Sequence, residues 1–207
     1  MIVIVTDDGE LFFYTDNSEV SFDFSNTEII DSWTKVKDVS NVKKAYVYRN
    51  SGRETIFALN AQGEVFAIGF NDSFFHKISE DLRVVNISSH GVTLILLDEQ
   101  GDLYQIGPGM MGMNTGFYTK IDKIDNLSTV VKISTCYSQG AAITSQGEVY
   151  VWRKEGYGKG KAWIERTAFE KVLDGDWENV IISNYLYVFS KGLARRIDYK
   201  SLVKFEN

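Results

Sequence analysis

The sequence predicts an all-β protein: a β-propeller of four-stranded antiparallel blades, five in number, with the first blade closed by strands from both termini. Three observations carry the prediction. A nine-residue pattern recurs four times without gaps, as TDDGELFFY (6–14), NAQGEVFAI (60–68), DEQGDLYQI (98–106) and TSQGEVYVW (144–152). Short β-branched stretches recur ahead of it at similar spacing. No segment sustains a 3.6-residue apolar period, so helix is minor.

Each copy of the pattern is a polar turn with Gly at its fourth position, then an acidic residue, an aliphatic residue and an aromatic one. An apolar run precedes it, at 2–5, 56–59, 94–97 and 141–143. Apolar run, polar turn and alternating apolar residues together read as a β-hairpin. The Gly supplies the positive φ of the turn, and Thr, Asn or Asp at its first position can bond back to the turn backbone. A degraded fifth copy spans 185–197, so the turn glycines are Gly9, Gly63, Gly101, Gly147 and Gly192, at intervals of 54, 38, 46 and 45 residues. A second motif precedes four of the hairpins: Thr34-Lys35-Val36, His76-Lys77-Ile78, Thr119-Lys120-Ile121 and Glu170-Lys171-Val172. Each is followed by a β-branched stretch, beginning at Val42, Val84, Val130 and Val180. One unit is therefore about four short strands in about 45 residues, the length and content of a propeller blade.

The blades read as residues 33–69, 75–107, 117–153 and 169–198 for the second to the fifth. The first combines residues 1–14, which lack an upstream half, with the tail 199–207, which lacks a downstream hairpin. Pairing the two remnants removes two open sheet edges. The alternative is an incomplete fan closed only by a partner.

The repeat resembles that of the regulator of chromosome condensation family. The best copies are residues 94–107, 57–69 and 141–153, and Ser88-Ser89-His90 is similar to the small-residue and His stretch the family carries there. Ser88 and Ser134 stand where the family favours glycine, and Arg153 stands at the closing Gly. WD-repeat propellers are less similar, because no Trp-Asp dipeptide occurs. The resemblance implies a propeller fold, reduced from the seven blades of familiar members. It also implies an alternative function, guanine-nucleotide exchange on a small GTPase by a protein wedge that leaves no short catalytic motif. Chromatin binding fits poorly, because the chain is acidic and lacks a basic N-terminal arm.

Composition excludes other classes. The 207 residues are 44% hydrophobic and carry a net charge of −6, with one Pro and one Cys. That argues against a general nucleic-acid coat protein, a disulfide framework and a multi-cysteine metal site. The start has no basic n-region and no apolar stretch approaches a membrane span, so the expected setting is intracellular, cytoplasmic or nuclear. The two histidines, His76 and His90, fall at repeat positions, and Cys136 has nothing basic beside it to form a thiolate. The turn carboxylates recur where a turn needs them. EGYGKGKA (155–162) lacks both the leading Gly and the Ser or Thr of a phosphate loop. No catalytic residue, cofactor, metal or small-molecule substrate is expected.

The candidate binding residues lie where blades carry extra length. Residues 153–166 hold Arg153, Lys154, Lys159, Lys161 and Arg166 against two acidic residues, with Tyr157, Trp163 and three glycines between. A basic, aromatic loop on a rigid scaffold suits docking on RNA phosphate or on an acidic protein. The other reading is a solvated loop with Trp163 tucked against its own blade. Residues 107–117 hold Met110, Met111 and Met113, whose adaptable side chains suit protein contact or fill gaps in a folded-over loop. Residues 15–32 read as an acidic loop. Residues 1–32 contain eight acidic residues and no Lys or Arg, whereas 151–207 contain 11 basic and eight acidic, including Lys191, Arg195, Arg196, Lys200 and Lys204. This asymmetry satisfies itself on ring closure or steers a dipolar partner. The expected function is a non-catalytic protein-interaction module, a scaffold subunit of a larger assembly such as a ribonucleoprotein. An enzyme-inhibiting or sugar-binding propeller is a third class.

Overall fold

Each repeat folds as an antiparallel hairpin, and the hairpins stack face to face. The computed structural model describes residues 1–14, 27–30, 33–50, 53–69, 75–79, 81–90, 93–106, 121–125, 127–136, 139–153 and 168–198. These form five antiparallel sheets and, among the described residues, no helix. None is therefore long and apolar enough to cross a membrane.

The first sheet contains β1 (Ile2–Val5), β2 (Leu11–Tyr14), β3 (Thr27–Ile30) and β4 (Trp33–Val36), in the order β1-β2-β4-β3. The second runs β5 (Val42–Asn50), β6 (Arg53–Asn60), β7 (Val65–Gly69), β8 (His76–Lys77). The third runs β9 (Val84–His90), β10 (Thr93–Asp98), β11 (Leu103–Ile106), β12 (Asp122–Ile124). The fourth runs β13 (Val130–Cys136), β14 (Gln139–Thr144), β15 (Val149–Arg153), β16 (Ala168–Leu173). The fifth has three strands, β17 (Asn179–Ile182), β18 (Leu186–Ser190) and β19 (Leu193–Ile197).

The pairing corrects the blade ranges read from the sequence. The Lys-centred strands do not open a blade. Trp33–Val36 pairs with Leu11–Tyr14, so each Lys-centred strand completes the sheet before it. Ion pairs accompany this pairing. The Lys meets the acid that follows the turn Gly on the adjoining strand: Lys35 with Glu10, Lys77 with Glu64 at 2.7 Å, Lys123 with Asp102 at 2.5 Å and Lys171 with Glu148 at 3.1 Å. In the third sheet the strand is Asp122–Ile124, so Lys123, not Lys120, holds this position. Segment 15–32, expected to be a loop, contains β3, which gives the first sheet four strands of its own. The tail 199–207, expected to complete that blade, lies outside the described residues.

Three turns use the chemistry their sequence implies. The hydroxyl of Thr6 accepts the Glu10 N–H at 3.0 Å. Asn60 Oδ1 accepts from Gln62 N–H at 3.0 Å and Glu64 N–H at 2.9 Å, and Asp98 Oδ1 accepts from Gln100 and Asp102 at 3.0 and 2.8 Å. Thr144 is the exception, since its buried hydroxyl has no partner among the described residues. The turn glycines then latch one sheet to the next. The carbonyls of Gly9, Gly63 and Gly101 accept the N–H of Val42, Val84 and Val130, each at 2.9 Å. Each acceptor lies in one sheet and its donor opens the next. The fifth turn departs from the pattern: Lys191-Gly192 is a two-residue turn, with Ser190 paired to Leu193.

Between the sheets lie four apolar clusters, one for each consecutive pair. Strand alternation makes this possible. Phe57 and Leu59 face the third sheet, while Ile56 and Ala58 face the first. Full burial of each such aliphatic or aromatic side chain contributes roughly 1.5–3 kcal/mol. The first strand of the second, third and fourth sheets carries a β-bulge at the same place, leaving Lys43, Val85 and Val131 out of the ladder.

The turn acids add a pH dependence. Glu64 accepts from Lys77 Nζ at 2.7 Å and Asn60 Nδ2 at 2.8 Å, and these bonds lower its pKa below the ordinary glutamate value. A depressed folded-state pKa stabilises the protein above the unfolded value, and that contribution is lost as pH falls through the folded one. Glu64→Gln will therefore cost stability near neutral pH and little at about pH 3. Urea midpoints of both proteins at the two pH values check it: an equal loss at both would show that the carboxylate charge is not involved.

Candidate interaction face

Antiparallel order sends alternate connections to opposite ends of the strands. Turns 6–10, 60–64, 98–102, 144–148 and 191–192 all lie at one end, together with the segments that enter each following sheet. At this face the turn glycines are packed against the entering segments. A Cβ on Gly9, Gly63 or Gly101 would stand 2.8–2.9 Å from its nearest atom, in Asn41, Arg83 or Thr129, and one on Gly147 would stand 2.1 Å from the Gly175 carbonyl oxygen. The opposite end carries the other connections, and these vary in length and chemistry.

The two long ones rise from equivalent places on neighbouring sheets. The Met-bearing segment leaves β11 at Ile106, and the chain returns at β12, where Gln105 pairs with Asp122. The basic segment leaves β15 at Arg153 and returns at β16, where Arg153 pairs with Ala168. The third and fourth sheets that carry them are locked by a shared core of Ile95, Leu97, Leu103, Ile133 and Trp152. Both segments therefore start from one rigid base on one face. Arg153 is placed in β15; Lys154, Tyr157, Lys159, Lys161, Trp163, Arg166, Met110, Met111 and Met113 lie outside the described residues. In the second basic cluster Arg195 and Arg196 are exposed on β19, and the Arg196 guanidinium sits 4.8 Å from the centre of the Tyr185 ring. Lys191 occupies the turn on the other face, and Lys200 and Lys204 lie outside the described residues.

The small polar residues of the inner strands join sheets. Ser88 and Thr135 hydroxyls share a hydrogen bond at 2.8 Å between the third and fourth sheets, and Ser134 Oγ accepts the Ile182 N–H at 3.1 Å from the fifth. Lys44 Nζ donates to Asn86 Oδ1 at 2.8 Å between the second and third. Hydroxyls thus act as inter-sheet ties where the repeat family favours glycine. Burial pushes the Cys136 thiol up, away from thiolate chemistry. Among the described residues, no three His, Cys, Asp or Glu side chains gather as a metal site requires. The Lys–acid pairs escaped the sequence reading, although an acid after every full-length turn Gly and a Lys in every second motif were there to be matched.

No protein-family model matches the chain, and no curated protein matches it. Solved structures do. The crystal structure of human WBSCR16 superposes with a TM-score of 0.62 at 14% identity, over 91% of this chain and 59% of that one. Yeast RCC1 (Prp20), solved with Kap60 bound to it, gives 0.60 at 17% identity, over 93% of this chain and 52% of that one. Prp20p from Saccharomyces cerevisiae, described with its binding properties to Gsp1p and histones, gives 0.55 at 12%, over 86% and 51%. The chain spans between half and three fifths of the structures it matches. Five antiparallel sheets in chain order, each packed on the next and the first four latched through turn glycines, give this chain the fold of an RCC1-like β-propeller.

Proposed function

We propose that this chain is a non-catalytic protein-interaction module, a scaffold subunit that holds its partner through the connections on the open face of the propeller. One observation carries the reading: the turn glycines at one end are taken up in joining successive sheets, while both chemically distinctive segments start from adjacent sheets on the other face. Rigid strands below and variable connections above are how such scaffolds present binding residues. Yeast RCC1 bound to Kap60, and Prp20p with its binding properties to Gsp1p and histones, support protein binding on this fold. The basic residues of 153–166 suit an acidic protein surface or the phosphates of a ribonucleoprotein host, in an intracellular setting.

The test is charge reversal at Lys159, Lys161 and Arg166 together, with capture of partners from the native cell across a salt series. Capture should fall at least tenfold and lose most of its salt dependence, since each removed phosphate or carboxylate contact lowers the slope. Unchanged capture would remove the loop assignment. Likeness to yeast RCC1 favours one other reading, guanine-nucleotide exchange. Faster release of labelled GDP from a small GTPase, lost neither with the loop charges nor with salt, would put that reading first.

A further inference from the structure

At the turn-glycine end, three of the four junctions between sheets close in one way and the last in another. At the first three, the N–H of Val42, Val84 and Val130 meets the glycine carbonyl, and that nitrogen lies 3.1, 3.2 and 2.9 Å from the Cβ position of Gly9, Gly63 and Gly101. At the junction of the fourth and fifth sheets, the atom nearest the Cβ position of Gly147 is the carbonyl oxygen of Gly175, at 2.1 Å. The entering segment thus presents an acceptor where the others present a donor. Among the described residues no backbone N–H meets the Gly147 carbonyl. Gly175 has a φ of 142°, which a glycine adopts without strain.

Two buried polar atoms without a partner among the described residues both belong to this junction. Thr144, 3% exposed, holds the repeat position of Thr6, whose hydroxyl accepts the Glu10 N–H, but its own hydroxyl is unmatched. Trp177 packs on the apolar cluster between the two sheets, with its unmatched Nε1 3.0 Å from the Cβ position of Gly175. A buried donor or acceptor left unmatched keeps its desolvation cost, so both atoms weigh against the closed arrangement. The other end of the same junction is tied. Ser134 Oγ accepts the Ile182 N–H at 3.1 Å, and Gln139 Nε2 donates to the Ser183 carbonyl at 2.8 Å, both toward the open face.

We propose that the fifth sheet is a hinged element. It swings away from the fourth at the turn-glycine end, about the Ser134–Ile182 and Gln139–Ser183 bonds, and carries Trp177 with it. Opening gives the Thr144 hydroxyl and the Trp177 N–H to water, and it uncovers Val149 and Val180 first. The closed state is held by the apolar cluster, which opposes the two unmatched groups. This inference does not depend on the loops of the open face.

Thiol labelling in native buffer tests it, on a Cys136→Ser background, with circular dichroism to verify each fold. Val65 and Val149 hold the same repeat position and both are 0% exposed; Val65 faces a latched junction and Val149 the one that opens. Val149→Cys should react about tenfold faster than Val65→Cys, because labelling follows the open population. Leu186→Cys, equally buried but at the tied end, should react more slowly than Val149→Cys. Adding Thr144→Val to Val149→Cys should slow its labelling about threefold, since the closed state then holds one unmatched group fewer. Equal rates at positions 149 and 65 would overturn the proposal. So would equal rates at 149 and 186, which mean loss of the whole sheet, or labelling that Thr144→Val leaves unchanged or quickens. Ile143→Cys, in the same cluster, replaces Val149→Cys if that variant does not fold.

Discussion

Replacing Gly140 with alanine will lower the stability of the protein by about 2–4 kcal/mol. Gly140 lies opposite Trp152 on the neighbouring strand, and the indole covers the glycine where a side chain would stand. An added Cβ would come within 2.0 Å of Trp152 Cζ2, 2.3 Å of Cε2 and 2.4 Å of Cη2. The ring has nowhere to go. It is 4% exposed and enclosed by Ile95, Leu97, Leu103, Ile124, Leu127, Val130 and Ile133, which fill the space between the third and fourth sheets. One methyl group therefore expels the largest side chain of that core or forces the two strands apart. Urea denaturation measures the loss, and a double-mutant cycle identifies its cause. Trp152→Leu alone will also destabilise, but Gly140→Ala should add little once the indole is gone. Additive losses in the cycle would mean that the glycine matters for its backbone and not for its neighbour.

The second large effect is at the turn glycines, where two requirements coincide. Gly9, Gly63 and Gly101 have φ of 82°, 83° and 84°, in the left-handed region that costs a residue with a Cβ roughly 1–2 kcal/mol. Their Cβ positions are also filled by the segment entering the next sheet; for Gly101 these atoms are Thr129 Cα and Val130 N, both at 2.9 Å. An alanine must displace the strand whose N–H the glycine carbonyl holds. Gly101→Ala should thus cost about 2–4 kcal/mol. Gly192 is the internal control. Its φ is 73°, but nothing lies within 4 Å of its Cβ position, so Gly192→Ala should cost only the conformational part, about 1 kcal/mol. Equal losses at the two glycines, measured as denaturation midpoints, would show that the inter-sheet latch adds nothing beyond φ.

That contrast marks how far the repeat could be read by eye. Local pattern set the hairpins, because period-two alternation and a turn glycine need no distant contact: the runs at 56–68 and 94–106 become strands wherever the rest of the chain goes. It determined the five-sheet count for the same reason. It left open which sheet each Lys-centred strand joins, because a strand pairs with whatever lies beside it in space. The Lys123–Asp102 and Lys171–Glu148 ion pairs form only once that pairing is made. Strand β3 was hidden because Thr27–Ile30 is four residues in an acidic stretch, and its place beside Trp33–Val36 is a matter of pairing. The candidate site divides in the same way. The basic and methionine-bearing segments were visible as composition. Their shared origin on one face of neighbouring sheets follows from strand order, which no residue in either segment records. The exposure of Ile4 was equally out of reach: Ile4 and Ala58 hold the same repeat position, and only the stacking of whole sheets decides which one is buried.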